Sequence, residues 1–336
     1  MMKRLFGLVV LILGGAGCLG DAPRENPFDP LSDNFEKEGS VSVLVTRYYP
    51  PFQGLGAAAV HLAWMGLPEG ALPVITTETD ETGRFIAKGM PEGRYQVRVE
   101  KTGFAEVVDT VEVAAGKTAE AEMRLGGLPV VTAPAVTSTH ISRWWPATDL
   151  YQLEVVAEVK DLDGLADVET AWLEIPALAY TDTLASTQTA GLFMKNIPVS
   201  RLNQTSLEEL LGLDLKIRAR DKAGFEHVSG ALRLVRVIEA VPVAREPQGL
   251  TLINEPRPLM RWDAMSLPFA YTYRVDVVRI ETNIQNTVEV QTAIPSTATS
   301  VQVQMSLPPG SYFWTLSVVD AFGNRSRSKE AGFQIQ

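Results

Sequence analysis

Two stretches decide the fold: Thr77-Glu78-Thr79-Asp80-Glu81-Thr82-Gly83-Arg84-Phe85-Ile86 and Gly89-Met90-Pro91-Glu92-Gly93-Arg94-Tyr95-Gln96-Val97-Arg98-Val99. Each places a turn rich in Asp, Gly or Pro directly before an alternating run. In the second run Tyr95, Val97 and Val99 fall on one side and Gln96 and Arg98 on the other. Period-two alternation puts one face in a core and the other in water, which is the pattern of a half-buried strand. Asp bonds its own turn backbone, and Gly takes the positive φ that closes the turn.

The same reading extends outward. Val41, Val43 and Val45 alternate with Ser42, Leu44 and Thr46, and Val60, Leu62 and Trp64 alternate with His61 and Ala63. Val107, Val108, Val111 and Val113 form a further strand. Ala115-Gly116-Lys117 turns into a last one ending Met123-Arg124-Leu125. Short strands separated by turns, with no helix, predict a β-sandwich over residues 39–126. On the two quoted stretches and Gly103-Phe104, this region resembles the carboxypeptidase regulatory-like family, a transthyretin-like seven-stranded fold. That resemblance implies an accessory role. It does not imply peptidase activity, because none of His61, His140 and His227 begins a His-x-x-Glu metal pair.

Gly126-Gly127 and Pro129 mark the next boundary. Strands are expected over 151–159, 168–175, from Gly191, over 215–220 and over 232–237. The capping box Ser206-Leu207-Glu208-Glu209 predicts one helix of about two turns, with Leu207, Leu210 and Leu211 on one face. Residues 127–239 thus resemble the Ig-like modules of bacterial exported proteins. Pro242, Pro247 and Pro256 punctuate the start of a third sandwich, 240–336. Its strands carry Trp262; Tyr271, Tyr273, Val275 and Val277; Val301, Val303 and Met305; then 311–320, Phe333 and Ile335. With Leu307-Pro308-Pro309-Gly310 this part resembles a fibronectin type III module. Tyr312 lies one residue closer to Gly310 than that family's spacing, which argues against a tyrosine corner. The turn Asp320-Ala321-Phe322-Gly323 echoes Asp221-Lys222-Ala223-Gly224, which suggests related topology in the two sandwiches. The fold class expected is therefore all-β, three serial β-sandwiches.

Ahead of them lies a basic start, Lys3-Arg4, an apolar run over 5–13, and small residues leading to Cys18, the single cysteine in 336 residues. Basic, apolar, small is the order of a secretory signal, and the apolar run is shorter than the ~20 residues a membrane span needs. The segment resembles a bacterial lipoprotein signal peptide, residues 1–17. Gly15 stands where that family has Leu. The resemblance implies lipidation of Cys18 and a membrane partner reached through the lipid. Residues 18–38, with Asn26-Pro27-Phe28-Asp29-Pro30, read as a flexible tether of about 25 Å r.m.s. reach. By the sorting rule that this resemblance brings with it, Leu19 after Cys18 implies the outer membrane, while Asp21 also fits a surface-export signal, so both membrane faces stay open.

Removing residues 1–17 takes Lys3 and Arg4 with it and moves the formal charge from −10 to −12. An acidic chain without a basic block is a poor partner for nucleic acid. One cysteine permits no internal disulfide, so each domain rests on packing. The sequence contains no Gly-x-Ser-x-Gly elbow, phosphate loop or His-Glu-x-x-His. No cofactor is expected, and the reading is a non-catalytic binding or scaffolding protein with an envelope protein or a glycan as partner. A hydrolase using two carboxylates stays as the alternative. Two aromatic loops are candidate ligand platforms: Tyr48, Tyr49 and Phe52, and Trp144 with Trp145. The plain reading of both is packing against their own sandwich ends. Asp161, Asp163, Asp167 and Asp221 form a candidate calcium cluster, since calcium takes several oxygens. Gly164 comes too early for an EF-hand, and turn chemistry is the plain alternative.

Overall fold

The computed structural model describes residues 38–66, 74–282 and 284–336. The signal peptide, Cys18 and nearly all of the tether lie outside the described residues. The protein is all-β, and the chain divides into two compact units between Gly126 and Gly127.

The first unit is a sandwich of seven strands: β1 (Gly39–Arg47), β2 (Ala59–Trp64), β3 (Val74–Glu78), β4 (Arg84–Met90), β5 (Gly93–Glu100), β6 (Val107–Val113) and β7 (Thr118–Leu125). One sheet runs β4-β1-β7, the other β3-β2-β5-β6. The β1–β7 pair is parallel, which brings the unit's first and last strands side by side. The alternating residues meet as expected: Val41, Val43, Val45, Val60, Leu62, Tyr95, Val97, Val99 and Met123 fill one core. The turn before β4 is held by Asp80, whose Oδ1 accepts from the amides of Thr82 (2.8 Å) and Arg84 (2.9 Å). Those bonds, the Arg84 amide's first, hold the Asp80 carboxyl below its usual range.

The second unit contains two sandwich cores. Around the first lie β8 (Val130–Ile141), β9 (Leu150–Lys160), β10 (Val168–Ile175), β11 (Tyr180–Thr183), β12 (Ala185–Ser186), β13 (Leu192–Pro198), β14 (Lys216–Asp221) and β15 (Glu226–Val228). Around the second lie β16 (Ala244–Glu246), β17 (Thr251–Ile253), β18 (Leu259–Trp262), β19 (Tyr271–Glu281), β20 (Ile284–Pro295), β21 (Ser300–Gln302), β22 (Gly310–Asp320), β23 (Arg325–Arg327) and β24 (Ala331–Ile335). A single ten-stranded sheet belongs to both. Its continuity comes from β8, which pairs antiparallel with β9 on one side and parallel with β23 on the other. The outer layers are β11-β10-β14-β15 over one core and β16-β18-β21 over the other.

The seam is polar and hydrogen-bonded, buried at Asn324 and partly buried around it. Asn324 Oδ1 accepts from the Ser138 amide at 2.9 Å, and its Nδ2 donates to Asp320 Oδ2 at 3.1 Å. Arg236 donates to the same Asp320 oxygen at 2.8 Å and stacks over Phe269 at 3.9 Å. His140 bonds Asp149 at 2.9 Å and lies flat on Tyr151, ring centroids 4.2 Å apart. Arg325 reaches Glu154 at 3.0 Å. A polar network with its partners in place fixes register where an apolar contact would permit sliding.

Four local expectations need correction. The capping box exists, but the helix it starts is a single 3-10 turn, Leu207–Leu210. With three residues per turn Leu207 and Leu210 eclipse and are buried, while Leu211 leaves the helix exposed. Residues 232–237 form no strand. Leu232 and Leu234 make isolated bridges to Leu215 and Leu211, and by Ile238 the chain has entered the next core. The strand carrying Val301 stops at Gln302. Val303 is buried but Met305 is exposed, because the amides of Gln304 and Met305 turn to the Glu289 carboxylate. Tyr312, despite its spacing, is fully buried and donates its hydroxyl to Pro308 O at 2.7 Å, the bond of a tyrosine corner.

The echo between the two later hairpins is a matter of bonding as well as sequence. Asp221 and Asp320 each accept from turn amides through Oδ1. Eight residues after each Asp stands a serine, Ser229 or Ser328. Their hydroxyls accept from the amides of Ile217 (2.9 Å) and Leu316 (3.0 Å).

Candidate functional site

In the first unit, the chain between β1 and β2 carries Tyr48, Tyr49 and Phe52. Tyr48 and Tyr49 meet edge-to-face with centroids 5.1 Å apart. The Arg124 guanidinium covers the Phe52 ring at 4.3 Å. Tyr49 is half-buried, and Tyr48 and Phe52 are exposed. Part of the aromatic face here is thus taken by neighbouring rings and by a strand β7 arginine.

The β8–β9 connection is different. Trp144 is 65% exposed and Trp145 86%. Trp144 is nonetheless fixed: its Nε1 donates to Glu330 O at 2.8 Å, and the Lys329 ammonium sits 4.4 Å from the ring centroid. Beside it opens a groove of about 260 Å³, lined by the apolar Val241, Pro242 and Ala331 and the polar Arg245, Gln248 and Lys329. An anchored indole, a second one standing almost wholly in water, and a groove lined by apolar side chains with a few polar groups make a ligand platform. Packing at the sandwich edge does not describe Trp145.

The acidic cluster lies at the other end of β9. Asp161, Asp163 and Asp167 bring ligand oxygens within 4.8 Å of one another. Asp161 Oδ1 accepts the Asp163 amide at 2.7 Å, and Asp163 Oδ2 accepts the Gly127 amide at 2.6 Å. Asp221 is adjacent, because Val168 pairs with Asp221 across the β10–β14 ladder. Burial pushes the Asp161 carboxyl up to about 6, opposed by the Asp163 amide and reinforced by the charges of Asp167, Asp163 and Asp221. Burial first, and then the Asp167 charge, likewise raise Asp221 against its turn amides.

The candidates therefore form separate places. Strand β9, about 33 Å long, separates the loop that carries the tryptophans from the one that carries the carboxylates. The groove residues Val241, Pro242, Arg245, Gln248 and Ala331 carried no motif. They join Trp144 only because β8 and the third core share a sheet.

Comparison with known proteins agrees with the first unit's reading. Residues 53–126 match the carboxypeptidase regulatory-like domain. None of the curated proteins matches the chain. Among solved structures, similar ones include BcpA, the major pilin subunit of Bacillus cereus, at 11% identity over 86% of this chain and 91% of that one, TM-score 0.31. The FN1–FN3 domains of chicken CNTN1 align at 9% identity over 84% and 96%, TM-score 0.28. Fibronectin(III)-like modules of CbhA from Clostridium thermocellum align at 15% over 62% and 93%, TM-score 0.26. At these scores they carry no argument about activity.

Proposed function

We propose that the chain is a non-catalytic, lipid-anchored binding or scaffolding protein of a bacterial outer membrane, presenting its ligand site on the second unit. The observation that carries the binding reading is the pair Trp144–Trp145 beside the groove. An indole left 86% in water gains nothing for folding. Its neighbour's hydrogen bond and cation contact hold the loop ready, which lowers the ordering entropy lost on binding. The flat exposed face of Trp145 favours a glycan as the ligand, because the C–H face of a pyranose stacks on such a ring. The anchoring reading rests on the order of residues leading to Cys18.

The test uses the full-length chain purified in detergent. A glycan array and a pull-down from bacterial envelope should each show capture that Trp145→Ala abolishes while thermal stability stays within about 0.5 kcal/mol, as for an exposed side chain. Capture unaffected by Trp145→Ala refutes the platform. Hydrolysis of peptides or glycans by the pure chain refutes the non-catalytic reading. Mass spectrometry showing an unmodified Cys18 thiol refutes the anchor.

A further inference from the structure

The geometry points to a calcium site at the β9–β10 corner, formed by the carboxylates of Asp161, Asp163, Asp167 and Asp221. A cluster of acids alone would not carry this, since surface turns gather them for their own backbone bonds. The deciding observation is Asp221. Its side chain is 1% exposed, its Oδ1 accepts the Phe225 amide, and its Oδ2 is buried with no hydrogen-bond partner. Asp161 repeats the arrangement: Oδ1 takes the Asp163 amide, and Oδ2 is buried and unbonded. No ion pair among the described residues reaches Asp161 or Asp221.

A buried carboxylate oxygen without a donor is strongly unfavourable unless a cation or a proton answers it. The Asp161 oxygen belongs to a group whose ligand oxygens, with those of Asp163 and Asp167, lie within 4.8 Å of one another, and the β10–β14 ladder sets Asp221 next to that group by pairing it with Val168. The ligand chemistry is all oxygen, with no sulfur and no imidazole in the group. That set suits a hard divalent cation that accepts several ligands in loose geometry, which is calcium rather than zinc. In each of Asp161 and Asp221 one carboxylate oxygen is held by a turn amide and the other is left for the ion. Turn chemistry and metal binding are thus compatible uses of the same side chain. The site lies between strands β9 and β10 and the β14–β15 turn, so filling it would tie three segments of the second unit together.

Calcium titration of the chelator-treated full-length chain in detergent, by isothermal calorimetry, tests this. The expected result is one ion per chain with a Kd of about 1 mM or tighter, the range of extracellular modules. Asp161→Asn and Asp221→Asn keep the Oδ1 acceptor and remove the charge, so each should weaken binding at least about tenfold. In chelator both variants should melt no lower than wild type, because one repelling charge has gone. No saturable heat up to about 10 mM calcium, well above the weakest such modules, overturns the assignment. So does undiminished binding by both variants. If Asp221→Asn fails to fold, Asp161→Asn decides by itself.

Discussion

Replacing Asn324 with Ala removes the side chain that fastens the two cores of the second unit to each other. Asn324 is completely buried. The substitution leaves the Ser138 amide, 2.9 Å away, without an acceptor, and removes a donor from Asp320 Oδ2. An orphaned buried donor costs about 1–3 kcal/mol, and a lost bond to a charged group about 1.5–3 kcal/mol. Part of the second is recovered, because Arg236 still donates to the same oxygen at 2.8 Å. The net expectation is about 3 kcal/mol. For a unit of this size that lowers Tm by about 6–12 °C. Differential scanning calorimetry of the full chain reads it. The shared sheet requires that both cores of residues 127–336 melt in one transition, and that the whole transition moves. If wild type shows separate transitions for the two cores, or the shift corresponds to less than about 1 kcal/mol, the seam is not what holds them.

Three further outcomes follow from the same reasoning. Gly83→Ala should destabilise the first unit by at least about 2 kcal/mol in urea titration, since φ is +81° and the new Cβ would lie 2.2 Å from Val45 O; an unchanged midpoint would contradict it. Tyr312→Phe should cost about 1 kcal/mol, the worth of its 2.7 Å bond to Pro308 O, without changing the urea m-value. At Asp149 burial pushes the carboxyl up, but the bonds from His140 and Ser142 outweigh it and hold it below its usual 3.8. A depressed carboxylate contributes stability above its unfolded pKa and loses it as pH falls through the folded one, so the urea midpoint should drop on acidification below about pH 4. Asp149→Asn should flatten that acid limb, and an unaltered limb would remove Asp149 as its source.

The first unit was largely legible because its information is local. Val41, Val43, Val45, Tyr95, Val97 and Val99 alternate with polar residues, and Asp80 and Gly83 sit where a turn needs them. Strand β8 was not legible. Pro134 and the positive φ of Ala133 fall inside it, and Pro in a run reads as a strand break. The structure accommodates them as a register shift between Thr132 and Ala135. Missing β8 hid the shared sheet, and with it the pairing of Ser138 with Asn324 across 186 residues.

The candidate site divides along the same line. Trp144, Trp145 and the four aspartates were visible as residue types, yet their surroundings were not. Which tryptophan stands in water, and which carboxylate oxygen lacks a donor, depends on segments far apart in the chain. Side-chain period and turn chemistry are properties of neighbours along the backbone, so sequence alone determined the all-β architecture and most strands of the first unit. Sheet continuity, burial and unmet hydrogen bonds are properties of neighbours in space, so only the tertiary structure decided that two cores share one sheet, that a groove opens beside Trp144, and that the acids converge on one corner.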